Sequence, residues 1–177
     1  LYAGAHGEAN DLENVIEAAR LLQKQAIKFT FIGDGPRKQD LIAQSKGLAN
    51  IEFREPVPKT DMPLIMSTFD AILLSLRDIQ LFKYGVSPNK LYDAYASARP
   101  VITTVEGSIN NEVLDNRLGV ATPPGDPKAL SLAIEQLIKI SRSERINMGK
   151  RARKLAEKTY SRSRINIVLN DLLRQML

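Results

Sequence analysis

The chain reads as an α/β protein on an open, doubly wound parallel sheet of about six strands with helices on both faces. Three observations lead there. Strand-length segments alternate with segments whose apolar residues recur at helical spacing. Asp70–Ser75 is a continuous apolar run rather than an alternating one, the pattern of a strand covered on both faces. The connections that follow strands are long or rich in Gly, while the return turns are short. That asymmetry places one binding rim at the carboxyl ends of the strands.

Taken in order, Leu1–Ala3 is a short strand and residues 4–10 form a loop. Asn10 or Asp11 can cap a helix in which Leu12, Val15, Ile16, Ala19 and Leu22 share a face. Lys28–Ile32 is a strand of β-formers stopped by Gly33–Pro36, and a helix follows to about Ser45. Ile51–Phe53 is a brief strand. Pro56-Val57-Pro58 is a rigid turn before a helix ending near Thr68. After the Asp70–Ser75 strand, a polar loop holding Gly85 and Pro88 enters a short helix with Leu91, Tyr92, Tyr95 and Ala96 on one stripe. Ser87 stands at its N-cap and Pro88 suits its first turn. Pro100–Thr104 is a strand, 108–116 a helix and Gly119–Ala121 a last strand. Pro123–Pro127 turns into a helix with Leu130, Ala133, Ile134, Leu137 and Ile138 on one side, and 143–159 and 163–177 are further helices. Crossovers are expected to be right-handed.

At 177 residues the chain can bury a core of its own, and its 44% hydrophobic and 25% charged content is ordinary for a globular protein. No run of about 18 apolar residues occurs, and no signal-peptide pattern is present. With no Cys, disulfides and thiolate metal sites are excluded, which fits a reducing compartment. The start at Leu1, inside a strand, reads as a cut from something larger. Residues 141–177 hold 10 Lys/Arg against 3 Asp/Glu, whereas the remainder holds 15 against 17. A basic end can meet an anionic partner such as a membrane surface; the simpler reading is a solvated helical face. No aromatic-plus-basic pattern of RNA-binding modules is present, so no nucleic-acid partner is expected.

The rim rule gathers residues 4–7, 33–35, 54–58, 76–90 and 104–108 on one edge. The helix start Ser87, Asn89 and Lys90 offers a hydroxyl, an amide, a cation and free N–H groups, the ingredients of an anion site. Its plain alternative is a well-capped helix with a solvated lysine. Asp93, one turn on, can accept from vicinal hydroxyls or simply complement the helix dipole. Gly33 and Gly35 sit where a phosphate loop would, but the third glycine of a dinucleotide fingerprint falls at Lys38, and a bare turn needs no ligand. His6, the one histidine, excludes His triads and multi-His metal sites. Between Gly4 and Gly7 at a strand's carboxyl end, it is either a ligand contact or a loop residue.

Together these segments resemble the C-terminal, donor-binding domain of GT-B-type retaining glycosyltransferases (glycosyl transferases group 1). The segments that carry the likeness are Tyr2–Gly4, Phe31–Pro36, Pro56–Pro58, Asp70–Leu74, Ser87–Ala96, Arg99–Ile102, Gly119–Ala121 and Pro124–Pro127. Capsule and O-antigen transferases that use UDP-amino sugars resemble it most. The resemblance implies a Rossmann-like fold, a nucleotide-sugar donor with UDP as the nucleotide, and a glycan or polyprenyl-linked sugar acceptor. It also implies an N-terminal acceptor domain of the same protein outside residues 1–177, no metal or other cofactor, and a cytoplasmic site with peripheral contact at the inner face of the plasma membrane. Residues 1–177 as an isolated unit are expected to be inactive.

The implied donor set is Gly4, His6, Gly7, Gly33, Gly35, Val57, Lys83, Ser87, Asn89, Lys90 and Asp93, with the ribose assigned to Asp93. Two departures stand out. Of the family's two glutamates eight positions apart, the first place holds Gly85 and the second Asp93. The first loop reads Ala5-His-Gly-Glu8 where an Arg and a Lys often clamp the diphosphate, so that role passes to Lys83 and Lys90. The alternatives are a GT-B-like nucleotide-sugar 2-epimerase and, less favoured, a flavodoxin-like signalling domain, which lacks its acidic cluster here.

Overall fold

The computed structural model describes residues 1–83 and 86–175, the side chains of Leu81 and Lys83 excepted. Six parallel strands form two hydrogen-bonded triplets. In the first, β1 (Tyr2–Ala3), β2 (Phe29–Ile32) and β3 (Ile51–Arg54) pair in that order. In the second, β4 (Ile72–Ser75), β5 (Val101–Thr104) and β6 (Gly119–Ala121) do the same. The triplets abut along β1 and β4, where Leu73 N–H donates to Leu1 O at 2.7 Å. Across the molecule the strands therefore run 3-2-1-4-5-6, with the order reversing between β1 and β4, where such sheets take their ligands.

Helices cover both faces. One face carries α1 (Leu12–Leu21), α2 (Lys38–Gln44) and α7 (Pro127–Lys139), whose Leu12, Val15, Ile16, Leu41, Leu130, Ile134 and Leu137 pack with Phe29, Phe31, Leu73 and Ile102. The other carries α3 (Met62–Ser67), α5 (Asn89–Ala96), α6 (Ser108–Asp115) and α8 (Arg142–Leu155). Their Met66, Leu91, Tyr95, Ile109, Val113 and Ala152 meet Ile72, Leu74 and Val101. Strands β2, β4 and β5 are buried at every position, which explains their continuous apolar or β-branched sequences. Fully burying one such Leu or Ile contributes about 1.5–3 kcal/mol. Ala18 and Ala19 have no exposed surface, and their small side chains let α1 lie close against α7.

Several boundaries differ from the expectations. A short helix, α4 (Gln80–Lys83), interrupts the segment expected to be loop, and a 3-10 turn, Glu8–Asn10, lies in the first loop. The N-cap of α5 is Pro88, one residue later than expected; Ser87 instead lies with its Oγ 2.7 Å from Tyr92 Oη. Asp11 caps α1 only through its backbone, in a left-handed conformation with φ 47°. The helix expected over 143–159 is α8 followed by a π turn, Ala156–Tyr160. The last helix, α9 (Arg162–Gln175), is exposed along its whole length, Ile165, Leu169 and Leu172 included. Among the described residues no helix is long and apolar enough to cross a membrane. A cavity of about 300 Å³ opens at the amino edge of the sheet between Leu1, Phe29, Ala71, Leu73, Ile134 and Leu137, away from the loops described next.

Candidate functional site

At the carboxyl edge, the loops after β1 and β2 are laced backbone to backbone. Gly4 N–H donates to Ile32 O at 2.9 Å, His6 N–H to Asp34 O at 2.8 Å, and Arg37 N–H to His6 O at 3.0 Å. A Cβ on Gly33 would overlap the Gly4 carbonyl, and one on Gly35 would meet the His6 backbone. Gly33 also has φ +145°, which an L side chain rarely adopts. The sequence Gly33-Asp-Gly is therefore needed for loop-to-loop approach whether or not a ligand binds.

His6 lies behind that contact with no exposed surface. Its ring stands 5.9 Å from Phe53, 6.0 Å from Tyr2 and 6.4 Å from Phe31, centroid to centroid. Neither ring nitrogen has a hydrogen-bond partner among the described residues. Burial, and then the Lys38 ammonium, lower its pKa, so the ring is held neutral in an aromatic box. Gly7 precedes the 3-10 turn, and Val57 is half-buried in the turn between β3 and α3.

The start of α5 meets this assembly through one side chain. Lys90 Nζ donates to Tyr2 Oη and to Asn10 Oδ1, both at 2.6 Å, and lies 4.5 Å from the Tyr2 ring centroid. Gly4 makes the approach possible: a Cβ there would stand 3.1 Å from Lys90 Cε and Nζ. Burial lowers the Lys90 pKa to about 8, so its charge is lost near the upper end of the physiological range. Tyr2 Oη donates to Ala5 O at 2.7 Å, which turns its lone pairs toward the ammonium, and burial pushes the phenol pKa up. Among the described residues no side chain caps the first turn of α5. Asn89 and Asp93 are exposed, and no donor reaches the Asp93 carboxylate among the described residues. Lys83 closes α4, and the side chain assigned to the diphosphate there lies outside the described residues.

A charge cluster that the sequence reasoning did not single out joins the same loops. Arg77, just beyond β4, donates its backbone N–H to Ala9 O at 2.9 Å and holds Glu8 at 2.9 Å and Glu13 at 3.6 Å. Arg37 pairs with Glu8, with Glu13 at 2.7 Å and with Asp40 at 3.2 Å. The Arg37 hydrogen bond keeps the Glu8 carboxyl below its usual pKa. Lys38, the residue at the third fingerprint position, is buried and donates to Glu55 at 2.9 Å. No local pattern brings Arg37 and Arg77 together in the sequence, because the carboxylates they share, Glu8 in the 3-10 turn and Glu13 in the first turn of α1, come from the segment after β1. Among the described residues no group of His, Asp or Glu could hold a metal ion.

The family model described as "Glycosyl transferases group 1" matches residues 1–139. A putative colanic acid biosynthesis glycosyl transferase, WcaI, of Escherichia coli is 30% identical over 186 residues, covering 97% of this chain and 42% of the relative. The chain thus spans about two-fifths of the length of the curated relatives it matches. Among solved structures, Anabaena Alr3699/HepE in complex with UDP superposes with a TM-score of 0.78 at 17% identity, over 98% of this chain and 48% of that one. The C-terminal domain of a glycosyl transferase group 1 family protein, LpcC, from Francisella tularensis gives 0.73 at 20% identity, over 91% of this chain and 85% of that domain. These structures share the expected GT-B Rossmann-like fold, and the match over residues 1–139 places the chain in the glycosyl transferases group 1 family.

Proposed function

We propose that this chain is the donor-binding half of a transferase that moves a sugar from a UDP-linked donor to a growing surface polysaccharide or lipid-linked acceptor. The observation that carries the reading is the convergence of the first loop and the α5 start on Lys90, at the edge where a 3-2-1-4-5-6 sheet takes nucleotides. Support also comes from the UDP held by HepE, a fold relative, and from WcaI, a putative glycosyl transferase of colanic acid biosynthesis. An acceptor-binding domain N-terminal to this chain would complete a cleft over the rim. The shorter span relative to the curated proteins supports that division of labour.

In this reading the Lys90 ammonium and the uncapped N–H groups of α5 receive the diphosphate, Asn89 and Ser87 fix its orientation, and Asp93 accepts from the ribose hydroxyls. As the sugar leaves, negative charge builds on the nucleoside diphosphate, and preorganised donors and cations lower the barrier without a metal. Reaction with retention of configuration, at the cytoplasmic side of the membrane, belongs to the same proposal. Titration calorimetry with UDP and UDP-sugars tests it. The chain should bind UDP weakly and transfer nothing by itself. Turnover by residues 1–177, or no affinity at millimolar UDP, contradicts it.

A further inference from the structure

The first loop of this chain carries an acid where a diphosphate site wants cations, and that acid is engaged. Glu8 and Asn10 belong to one 3-10 turn. Glu8 draws in the guanidinium of Arg77 from the end of β4 and that of Arg37 from the start of α2, while Asn10 draws in Lys90 from α5. Three cations, one from the connection after β2 and two from the connection after β4, thus grip one short turn. The Glu8 side chain is nonetheless 61% exposed, so the contact sits at the surface of the rim and can open without disturbing the core. Arg77 is fixed at its root by its backbone bond to Ala9, and its Nε is buried with no partner among the described residues.

A carboxylate that bridges guanidiniums presents the same chemistry to them as a phosphate group: two anionic oxygens facing planar N–H donors. We infer that Glu8 and Asn10 are internal stand-ins for the donor's diphosphate, and that Arg77 is a further diphosphate-binding residue which Glu8 holds until the donor displaces it. Lys90 exchanges Asn10 for a phosphate oxygen in the same event. The inference rests on the donor-binding reading and extends it to the residue that replaces the missing first-loop cations. Glu8 then acts as a competitor built into the site, and Arg37, with Glu13 and Asp40 still in place, takes up the released loop.

The test is a double-mutant cycle on UDP binding, with inorganic pyrophosphate and uridine as separate probes. Glu8→Gln should tighten UDP and pyrophosphate about 5- to 10-fold and leave uridine unchanged, because one charge-assisted contact no longer has to be broken. Arg77→Gln should weaken both anions, and Glu8→Gln should bring no gain in the Arg77→Gln background. Asp40→Asn, which removes an equal charge from Arg37, controls for the general field. Circular dichroism melts show that each variant is folded, and Glu8→Ala serves if the amide variant is not. A Glu8→Gln gain that survives Arg77→Gln, or that Asp40→Asn reproduces, overturns the exchange while leaving the donor reading intact. If the wild type ignores uridine and UDP yet Glu8→Gln gains pyrophosphate through Arg77, the exchange stands and the donor reading falls. No binding by any variant removes both.

Discussion

The two triplets of strands treat their rim loops in opposite ways. In the β1–β3 half, the loops lock to each other through backbone bonds such as His6 N–H to Asp34 O, and glycines clear the space between them. In the β4–β6 half, the chain beyond Leu76 leaves the sheet, and α5 starts with no side-chain cap among the described residues. At this edge the halves are bridged by one backbone bond, Arg77 N–H to Ala9 O, and by side chains, Lys90 to Tyr2 and Asn10 and Arg77 to Glu8. One half is a fixed platform and the other supplies groups that can change partners. A rim of this kind can bind an anion without moving its sheet.

The largest expected effect breaks the platform. Gly33→Ala places a Cβ against the Gly4 carbonyl at φ +145°, and should destabilise the chain by about 3–4 kcal/mol in urea unfolding. Near-wild-type stability would mean that the two loops separate easily and that the contrast between the halves is wrong. Breaking the bridge should act on ligand more than on fold. Lys90→Ala should cost about 1.5–3 kcal/mol of UDP affinity while uridine binding hardly changes. Equal losses for both would show that Lys90 acts through folding.

The same lysine gives the bridge a pH dependence. Its folded pKa of about 8 lies below the ordinary 10.5, so UDP affinity should fall as pH rises from 7 to 9.5, a range where the phosphates are already ionised. The stability sign is opposite. Between those two values the unfolded chain binds more protons than the folded one, so stability relative to Lys90→Met should rise with pH across that window. A flat difference between the two proteins in urea melts over pH 8–10 contradicts a buried, hard-to-charge lysine.

Asp93→Asn probes the outer side of α5. It should cost about 1–3 kcal/mol of UDP affinity and abolish discrimination against 2′,3′-dideoxy nucleotide. Unchanged discrimination with a lower melting temperature assigns Asp93 to the helix dipole instead. The smallest effect is a control remote from the bridge. Asp126 caps α7 by accepting from Ala129 N–H at 2.8 Å, and Asp126→Ala should lower stability by about 1 kcal/mol with no change in UDP binding.

The platform was more legible in the sequence than the groups that change partners. Strands such as Ile72–Ser75 announce themselves because burial on both faces demands a continuous apolar run, and α1 and α7 because one face of each meets the core. The helix Gln80–Lys83 escaped because four residues are too few for a period to show. Gly33 and Gly35 were visible as a turn, but their opposite numbers, Gly4 and His6, are tertiary neighbours that no local pattern specifies. Lys90 was legible as a helix-start cation; its inward turn onto Tyr2 depends on a pairing 88 positions apart. Arg37 and Arg77 read as ordinary surface charges until the topology sets Glu8 between them.

In the proposed reading UDP binds at the carboxyl edge, across the seam between platform and bridge. Backbone amide shifts of the 15N-labelled chain, followed during UDP titration, test it most directly. The moving resonances should belong to residues 4–10, Arg77 and Asn89–Asp93, with little change at Phe29, Ala71 and Leu137 around the amino-edge cavity. Saturable shifts centred on that cavity, with the rim silent, would contradict it.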